Sequence, residues 1–137
     1  MPVEFLGGLT GHPDAPKKGD TCTLIGDADA LHIRRWKVPL LARPSWVPVG
    51  TFTWPEVRRI DVAGTSVSQA ELAAVAVFGV LGLAAARGGT YIAVSAGTTD
   101  ALFRSDEPAA KLRLAMERLV PDTWRSAVLR FDGQPVH

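Results

Sequence analysis

The stretch TCTLIGDADALHIRRW, residues 21–36, contains two short apolar runs on either side of a turn rich in glycine and aspartate. Thr21–Ile25 and Leu31–Trp36 have the length and composition of β-strands. The intervening Gly26-Asp27-Ala28-Asp29 has the residue types that tight turns prefer. The sequence therefore predicts a β-hairpin in which alternate side chains of each strand point to opposite faces of a sheet.

Further strands are predicted on both sides of this hairpin. Val3–Leu9 is an apolar strand candidate, and Glu56–Ala63 alternates between apolar and charged residues, as a half-buried strand does. Thr90–Ser95 and Ala101–Arg104 flank a second glycine-containing turn and predict a second hairpin. The front and the middle of the chain are therefore expected to be mainly β-structure.

Val38–Pro55 contains four prolines. Because proline cannot donate a hydrogen bond to a strand ladder, this segment is predicted to be an ordered loop or a sheet edge with short extended pieces. Trp46 and Trp54 are large enough to attach it to the core, and we expect both to do so.

The C-terminal part predicts a helix that starts at Pro108 and ends before Pro121. Lys111, Arg113 and Arg118 fall outside its apolar face. After Pro121, a last strand is predicted over Ala127–Phe131, with Ala127, Leu129 and Phe131 pointing inward. The apolar stripe of the helix consists of Leu112, Ala115, Met116 and Leu119.

Ser68–Gly89, SQAELAAVAVFGVLGLAAARGG, predicts a second helix of unusual composition. Ser68 and Glu71 have the spacing of a capping box, and Gly88-Gly89 supplies a left-handed stop. The interior, Leu72–Ala86, contains no polar side chain. A helix that is apolar all round must be covered all round, so the sequence raises the question of what covers it.

Three answers remain open for this apolar helix: the core of the same chain, a second copy or partner protein, or lipid. Its fifteen apolar residues span only ~22 Å, less than the ~30 Å hydrocarbon core of a bilayer. Its many small residues allow close approach of another backbone, which favours a homo-oligomer or a partner protein. The predicted interface residues are Leu72, Val75, Val77, Phe78, Gly79, Leu81, Gly82 and Leu83.

The length and composition of the chain predict one globular domain over residues 1–137, with the apolar helix as an insert at about 68–89. The net charge of +1 argues against nucleic acid as a partner. The single Cys22 excludes an internal disulfide, and its apolar neighbours predict a buried, inert thiol. Met1–Gly8 lacks the pattern of a secretory signal, so we expect a cytoplasmic location, with membrane association under one alternative below.

The sequence contains no recognisable catalytic or metal-binding pattern. His12, His32 and His137 have no neighbouring nucleophile and carboxylate in a known arrangement, although His32 is placed to face Asp27 or Asp29 across its hairpin. The two aspartates are better explained by the turn between them. We therefore expect no enzyme activity, no cofactor and no metal site.

Basic residues are concentrated between His32 and Asp61. If their strands are neighbours, these residues form a basic patch beside Trp36 and Trp54 that suits anionic head groups or a carboxylate-rich partner. The alternative is an ordinary solvated strand face. The predicted anion-facing patch consists of Arg34, Arg35, Lys37, Arg58 and Arg59.

Over residues 3–120 the order of elements resembles that of bacterial pleckstrin-homology-like domains. The resemblance rests on Asp29-Ala30-Leu31-His32-Ile33, on Trp54–Ile60, and on an apolar insert before Tyr91-Ile92-Ala93-Val94. It implies an α+β domain: a bent antiparallel sheet or partly open barrel capped by a C-terminal helix. It also implies a binding or assembly module rather than an enzyme.

Three hypotheses for function follow. The first is a non-enzymatic interaction module that self-associates or docks on a partner protein through the apolar helix. The second is a membrane-associated module, with that helix in lipid and the basic strand face near anionic head groups. The third is a small-ligand-binding domain or an unrecognised enzyme, with Trp36, Trp54 and His32 lining a cleft.

Overall fold

The computed structural model describes residues 2–9, 12, 14–63, 89–131 and 134–135. These residues form an α+β fold with one mixed β-sheet and two α-helices near the C-terminus. The predicted apolar helix lies outside the described residues except for Gly89, and so do all eight residues of its predicted interface. The strands are β1 Pro2–Gly8, β2 Thr21–Gly26, β3 Ala30–Lys37, β4 Ser45–Thr53, β5 Val57–Ala63, β6 Thr90–Ala96, β7 Thr99–Ser105, β8 Leu129–Phe131 and β9 Gln134–Pro135, and the helices are α1 Ala109–Leu119 and α2 Asp122–Val128.

The order of strands across the sheet is β4-β3-β2-β1-β7-β6-β5-β8-β9. Within the described residues the sheet is not closed, with β4 at one edge and β9 at the other. The seven strands from β4 to β5 are all antiparallel to their neighbours, whereas β8 runs parallel to β5. The sheet is therefore mixed, and the expectation of a wholly antiparallel sheet is wrong at this one pairing.

Several local predictions are confirmed. The hairpins β2–β3 and β6–β7 form around the expected turns. In β3, Leu31 and Ile33 are buried while Arg34 is exposed, so the predicted alternation holds. Helix α1 follows Pro108, and its apolar stripe packs on the core through Leu112 and Met116.

The proline-rich segment contains an edge strand longer than predicted. β4 runs for nine residues and pairs only with β3 among the described strands. Pro48 is accommodated because the register shifts beside it: Ile33 pairs with Gly50 and Arg34 with Pro48. A bulge in an edge strand is one of the few places where a sheet tolerates proline.

The two tryptophans of this segment lie in different environments. Trp54 lies in a single 3₁₀ turn between β4 and β5 and is 1% exposed, which confirms it as a core anchor. Trp46 is 37% exposed, so the prediction that it attaches the segment to the core is wrong. Its partner is Trp36 on the neighbouring strand and not the core, at a ring-centroid distance of 5.0 Å.

The predicted last strand, Ala127–Phe131, is correct only in its second half. The chain forms α2 over Asp122–Val128, and Ala127 is exposed where an inward position was predicted. Pro121 lies between the two helices, and its carbonyl oxygen accepts the first hydrogen bonds of α2, from the N–H groups of Trp124 and Arg125. The Arg125 guanidinium donates to the carbonyl oxygens of Glu117 and Val120, which ties α2 to the end of α1.

The β2–β3 turn and the β3–β4 connection lie at opposite ends of strand β3. Helix α1 reaches the turn end, where the Gly26 Cα lies against the carbonyl group of Leu119. The other end of β3, from Trp36 onward, projects with β4 away from this helix contact. Among the described residues, the β3–β4 connection is thus the projecting end of a paired hairpin.

Candidate functional site

The connection between β3 and β4 displays the most exposed apolar side chains in the described part of the chain. Leu40 is 96% exposed and Leu41 is 95% exposed. Of the seven exposed large hydrophobic residues among those described, five lie between positions 36 and 46. We call these five the apolar tip: Trp36, Val38, Leu40, Leu41 and Trp46.

The local sequence explains why the tip projects. Pro39 and Pro44 fix their own backbone angles and lack N–H groups, so the ladder between β3 and β4 ends at the Lys37–Ser45 pair. One pair further in, Trp36 faces Trp46, with the rings edge to face at an angle of 61°. Such a pair adds about 0.5–1.5 kcal/mol beyond its buried area, which stabilises the base of the tip.

The chain around the tip is positively charged. Residues 30–55 include four basic side chains and no aspartate or glutamate, in a protein whose net charge is only +1. Arg34, Lys37 and Arg43 are exposed. Arg35 is half-buried, and its guanidinium lies 3.9 Å from the Asp20 carboxylate. Three exposed cations therefore surround an apolar apex.

The predicted anion-facing patch is divided between two places. Arg34, Arg35 and Lys37 lie on β3, whereas the pair Arg58 and Arg59 lies on β5, with four strands between them in the sheet. The β5 arginines have carboxylate partners: Arg58 is 3.7 Å from Asp100, and Arg59 is 2.6 Å from Asp61. The β3 group is the part of the patch that adjoins the tip.

The predicted cleft residues also lie apart. Trp54 is in the core, while His32 and Trp36 lie four residues apart along β3. Trp36 thus packs against Trp46 and not against Trp54 or His32.

His32 belongs to a short chain of polar side chains on the outer face of the sheet. Its Nε2 atom is 2.7 Å from Asp27 Oδ2, and its Nδ1 atom is 3.1 Å from Thr51 Oγ1. The contact with Asp27 is one of the two alternatives that the sequence predicted. Thr51 was missed, because it faces His32 only through the β3–β4 register, which the sequence alone does not specify.

These hydrogen-bonded side chains stabilise the β2–β3 turn. The other oxygen of Asp27, Oδ1, accepts hydrogen bonds from the backbone N–H groups of Asp29 and Ala30, each at 2.8 Å. The carboxylate therefore caps the β2–β3 turn, and His32 links that turn to Thr51 on β4. The side-chain hydrogen bond from His32, followed by those two backbone bonds, lowers the pKa of Asp27 from 3.8 to about 2.

The lowered pKa of Asp27 makes its contribution to stability pH-dependent. The folded-state pKa lies below the unfolded one, so the contribution is full above pH 3.8 and disappears as the pH falls through about 2. We expect His32→Ala to raise the pKa of Asp27, since it removes the largest cause of the shift. A carboxyl-carbon NMR titration measures this directly. Thr51→Val leaves the His32–Asp27 bond in place and should change the Asp27 pKa much less; equal shifts in the two variants would contradict the assignment.

Cys22 is buried and has no disulfide partner, as predicted. Burial, with a smaller effect from the nearby Asp20 carboxylate, raises the pKa of its thiol to about 12. The thiolate is the reactive form of cysteine, so this residue is unsuited to nucleophilic chemistry at neutral pH.

A small cavity of about 190 Å³ lies where β1, β2 and β7 meet. Arg104 lines it, but this guanidinium is already bonded to Glu4 at 3.2 Å and to Asp106. The positive charge of Arg104 is therefore neutralised within the protein and does not favour an anionic ligand in this cavity.

Within the described ranges, no group of three or more His, Cys, Asp or Glu side chains is arranged to hold a metal ion. No helix in that part of the chain combines the length and the apolar character needed to cross a membrane. Comparison with known proteins found no match to this chain among protein-family models, curated proteins or solved structures.

Proposed function

We propose that this protein is a non-enzymatic interaction module of pleckstrin-homology-like architecture that docks on its partner through the apolar tip. The observation that carries the proposal is the nearly complete exposure of two adjacent leucines, Leu40 and Leu41, on a paired hairpin. Exposed apolar patches on otherwise polar surfaces mark interaction sites, and binding residues are concentrated on loops held by a rigid scaffold.

The energetics favour docking at this place. Burying one leucine side chain is worth about 1.5–3 kcal/mol, and the fold leaves this free energy unused at Leu40 and Leu41. Two such side chains can lower a dissociation constant by a factor of about 10²–10⁴. The Trp36–Trp46 pair holds the hairpin base in place before binding, which reduces the entropy lost when a partner docks.

The architecture supports the pleckstrin-homology-like part of the proposal. The seven antiparallel strands ordered β4-β3-β2-β1-β7-β6-β5, followed by the core-packed helix α1, agree with the sheet and C-terminal helix that the resemblance implies. Strand β8 and helix α2 are additions to that plan.

The apolar stretch 72–86 remains the second proposed contact surface, for self-association or for a partner protein. Its sequence has no polar side chain, which is the reason for proposing it. The two surfaces are separable by substitution, because Leu40 and Leu41 lie on a different segment from Gly79.

The experiment measures the diffusion of a fluorescent fusion of the full chain in living cells of its own organism. We expect the wild-type fusion to diffuse more slowly than its mass dictates, and Leu40→Ser/Leu41→Ser to diffuse freely. Leu114→Ser, at a 58% exposed leucine on α1, is the matched control and should behave as wild type.

Free diffusion of the wild-type fusion would contradict the proposal that the protein docks on a partner. A different result is that Gly79→Arg abolishes the slow diffusion and the Leu40→Ser/Leu41→Ser variant does not. The protein would then still be an interaction module, but its contact surface would be the stretch 72–86. Circular dichroism of each purified variant verifies that a released fusion is still folded.

A further inference from the structure

We infer that the partner of the apolar tip is the surface of a lipid bilayer carrying anionic head groups. Leu40 and Leu41 enter the boundary between head groups and acyl chains, while Arg34, Lys37 and Arg43 remain at the level of the phosphates. This inference rests on the proposed function and names its partner.

The order of residue types along the tip matches the polarity profile of a membrane interface. The apex holds two aliphatic side chains, and the base holds the pair Trp36 and Trp46. Tryptophan is enriched at the membrane–water boundary, where an apolar ring with one polar N–H group is accommodated best. Cations lie at the base as well, at the depth that lipid phosphates occupy.

The charge distribution favours anionic lipid over neutral lipid. Residues 30–55 carry four basic and no acidic side chains, and one of the four, Arg35, lies 3.9 Å from the Asp20 carboxylate. Each basic residue near an anionic surface strengthens binding by roughly fivefold at physiological salt. Three exposed cations therefore add an attraction that a neutral bilayer does not supply.

The backbone of the connection is suited to a poorly hydrated environment. An N–H group that leaves water without a partner opposes insertion, and proline has none. Pro39 and Pro44 thus remove two such donors from the seven residues between β3 and β4. A protein partner would instead benefit from N–H groups available for hydrogen bonds, so this feature favours lipid as the occupant.

The direct test is binding of the purified full chain to phosphatidylcholine vesicles with and without phosphatidylglycerol. We expect co-sedimentation and a blue shift of tryptophan emission with the anionic vesicles, because Trp36 and Trp46 leave water on binding. Leu40→Ser/Leu41→Ser should weaken this binding at least about 100-fold. Leu114→Ser is the matched control, since this leucine lies on α1, whose last turn is at the opposite end of β3.

A second pair of variants tests the charges. Lys37→Gln/Arg43→Gln should weaken binding to anionic vesicles about 10- to 30-fold and reduce its dependence on salt. Lys111→Gln/Arg118→Gln removes two exposed cations from α1 and should leave binding unchanged. Since every substituted side chain is exposed, all variants should retain the urea midpoint of the wild type.

The inference is overturned if the protein does not bind anionic vesicles, or if the wild type and the Leu40→Ser/Leu41→Ser variant bind them equally. Equal affinity for both vesicle types would also overturn it, because the charged partner is part of the claim. If the tip still controls diffusion in cells but the vesicles fail to bind, the interaction module stands and its partner is a protein or a second copy. If both measurements are negative, the proposed function fails with the inference.

Discussion

Gly26→Ala should lower the free energy of unfolding by about 3 kcal/mol. A Cβ atom at this position would lie 1.9 Å from the carbonyl oxygen of Leu119 and 2.9 Å from its carbonyl carbon. Both are backbone atoms at the end of helix α1, so no side-chain rotation relieves the clash. Either the helix or the β2–β3 hairpin must move, and the packing of Met116 in the core moves with it.

Urea denaturation followed by circular dichroism measures this loss. Gly50→Ala is the control, because an added Cβ there meets side-chain ring atoms and no backbone: two of Phe52, at 3.2 and 3.3 Å, and one of His12, at 3.5 Å. The rings can shift slightly to make room. The control should therefore cost much less than Gly26→Ala. Equal losses would show that the close approach of α1 to Gly26 is not what restricts position 26.

The elements that the sequence predicts correctly are those determined by neighbouring residues. The hairpins β2–β3 and β6–β7 follow from apolar runs separated by glycine-containing turns. Helix α1 follows from Pro108 and from an apolar stripe with helical spacing. In each case a few consecutive residues contain both the pattern and the signal that ends it.

The features that the sequence does not predict depend on pairing between distant segments. The exposure of Trp46 and the contact between Thr51 and His32 both follow from the register of β4 on β3, including the bulge at Pro48. Composition alone cannot supply that register, because a shift of one residue reverses every side chain.

The apolar tip was missed for a related reason. Leucine is among the residue types most often buried in protein cores, and no local pattern marks Leu40 and Leu41 as exposed. The predicted basic patch combined the β3 residues Arg34, Arg35 and Lys37 with Arg58 and Arg59 on β5, and the sheet order separates these two groups. The apolar apex beside the basic residues is visible only once the hairpin is built.

Trp54→Ala should cost about 3–5 kcal/mol of stability, the range for deleting a large buried aromatic side chain. Trp54 is 1% exposed, and its indole N–H donates to the Asp27 carbonyl oxygen at 2.8 Å. The ring therefore fills the core and holds the β2–β3 turn at the same time. Trp46→Ala is the matched control: this side chain is 37% exposed and pairs with the similarly exposed Trp36, so its loss should cost about 1 kcal/mol.

Trp54→Phe separates the two contributions of this tryptophan. Phenylalanine keeps most of the buried ring but leaves the Asp27 carbonyl oxygen without the indole donor, which should cost about 1–3 kcal/mol. Because the Asp27 side chain is held by His32, we expect the losses from Trp54→Phe and His32→Ala to be non-additive in a double-mutant cycle. Strict additivity in urea denaturation would mean that the core ring and the surface histidine hold the turn independently. Coupling between the two substitutions would show that Trp54 and His32 hold the turn as one cooperative unit. Such a unit fixes the end of β3 that lies opposite the tip. The hairpin then projects Leu40 and Leu41 from a rigid base.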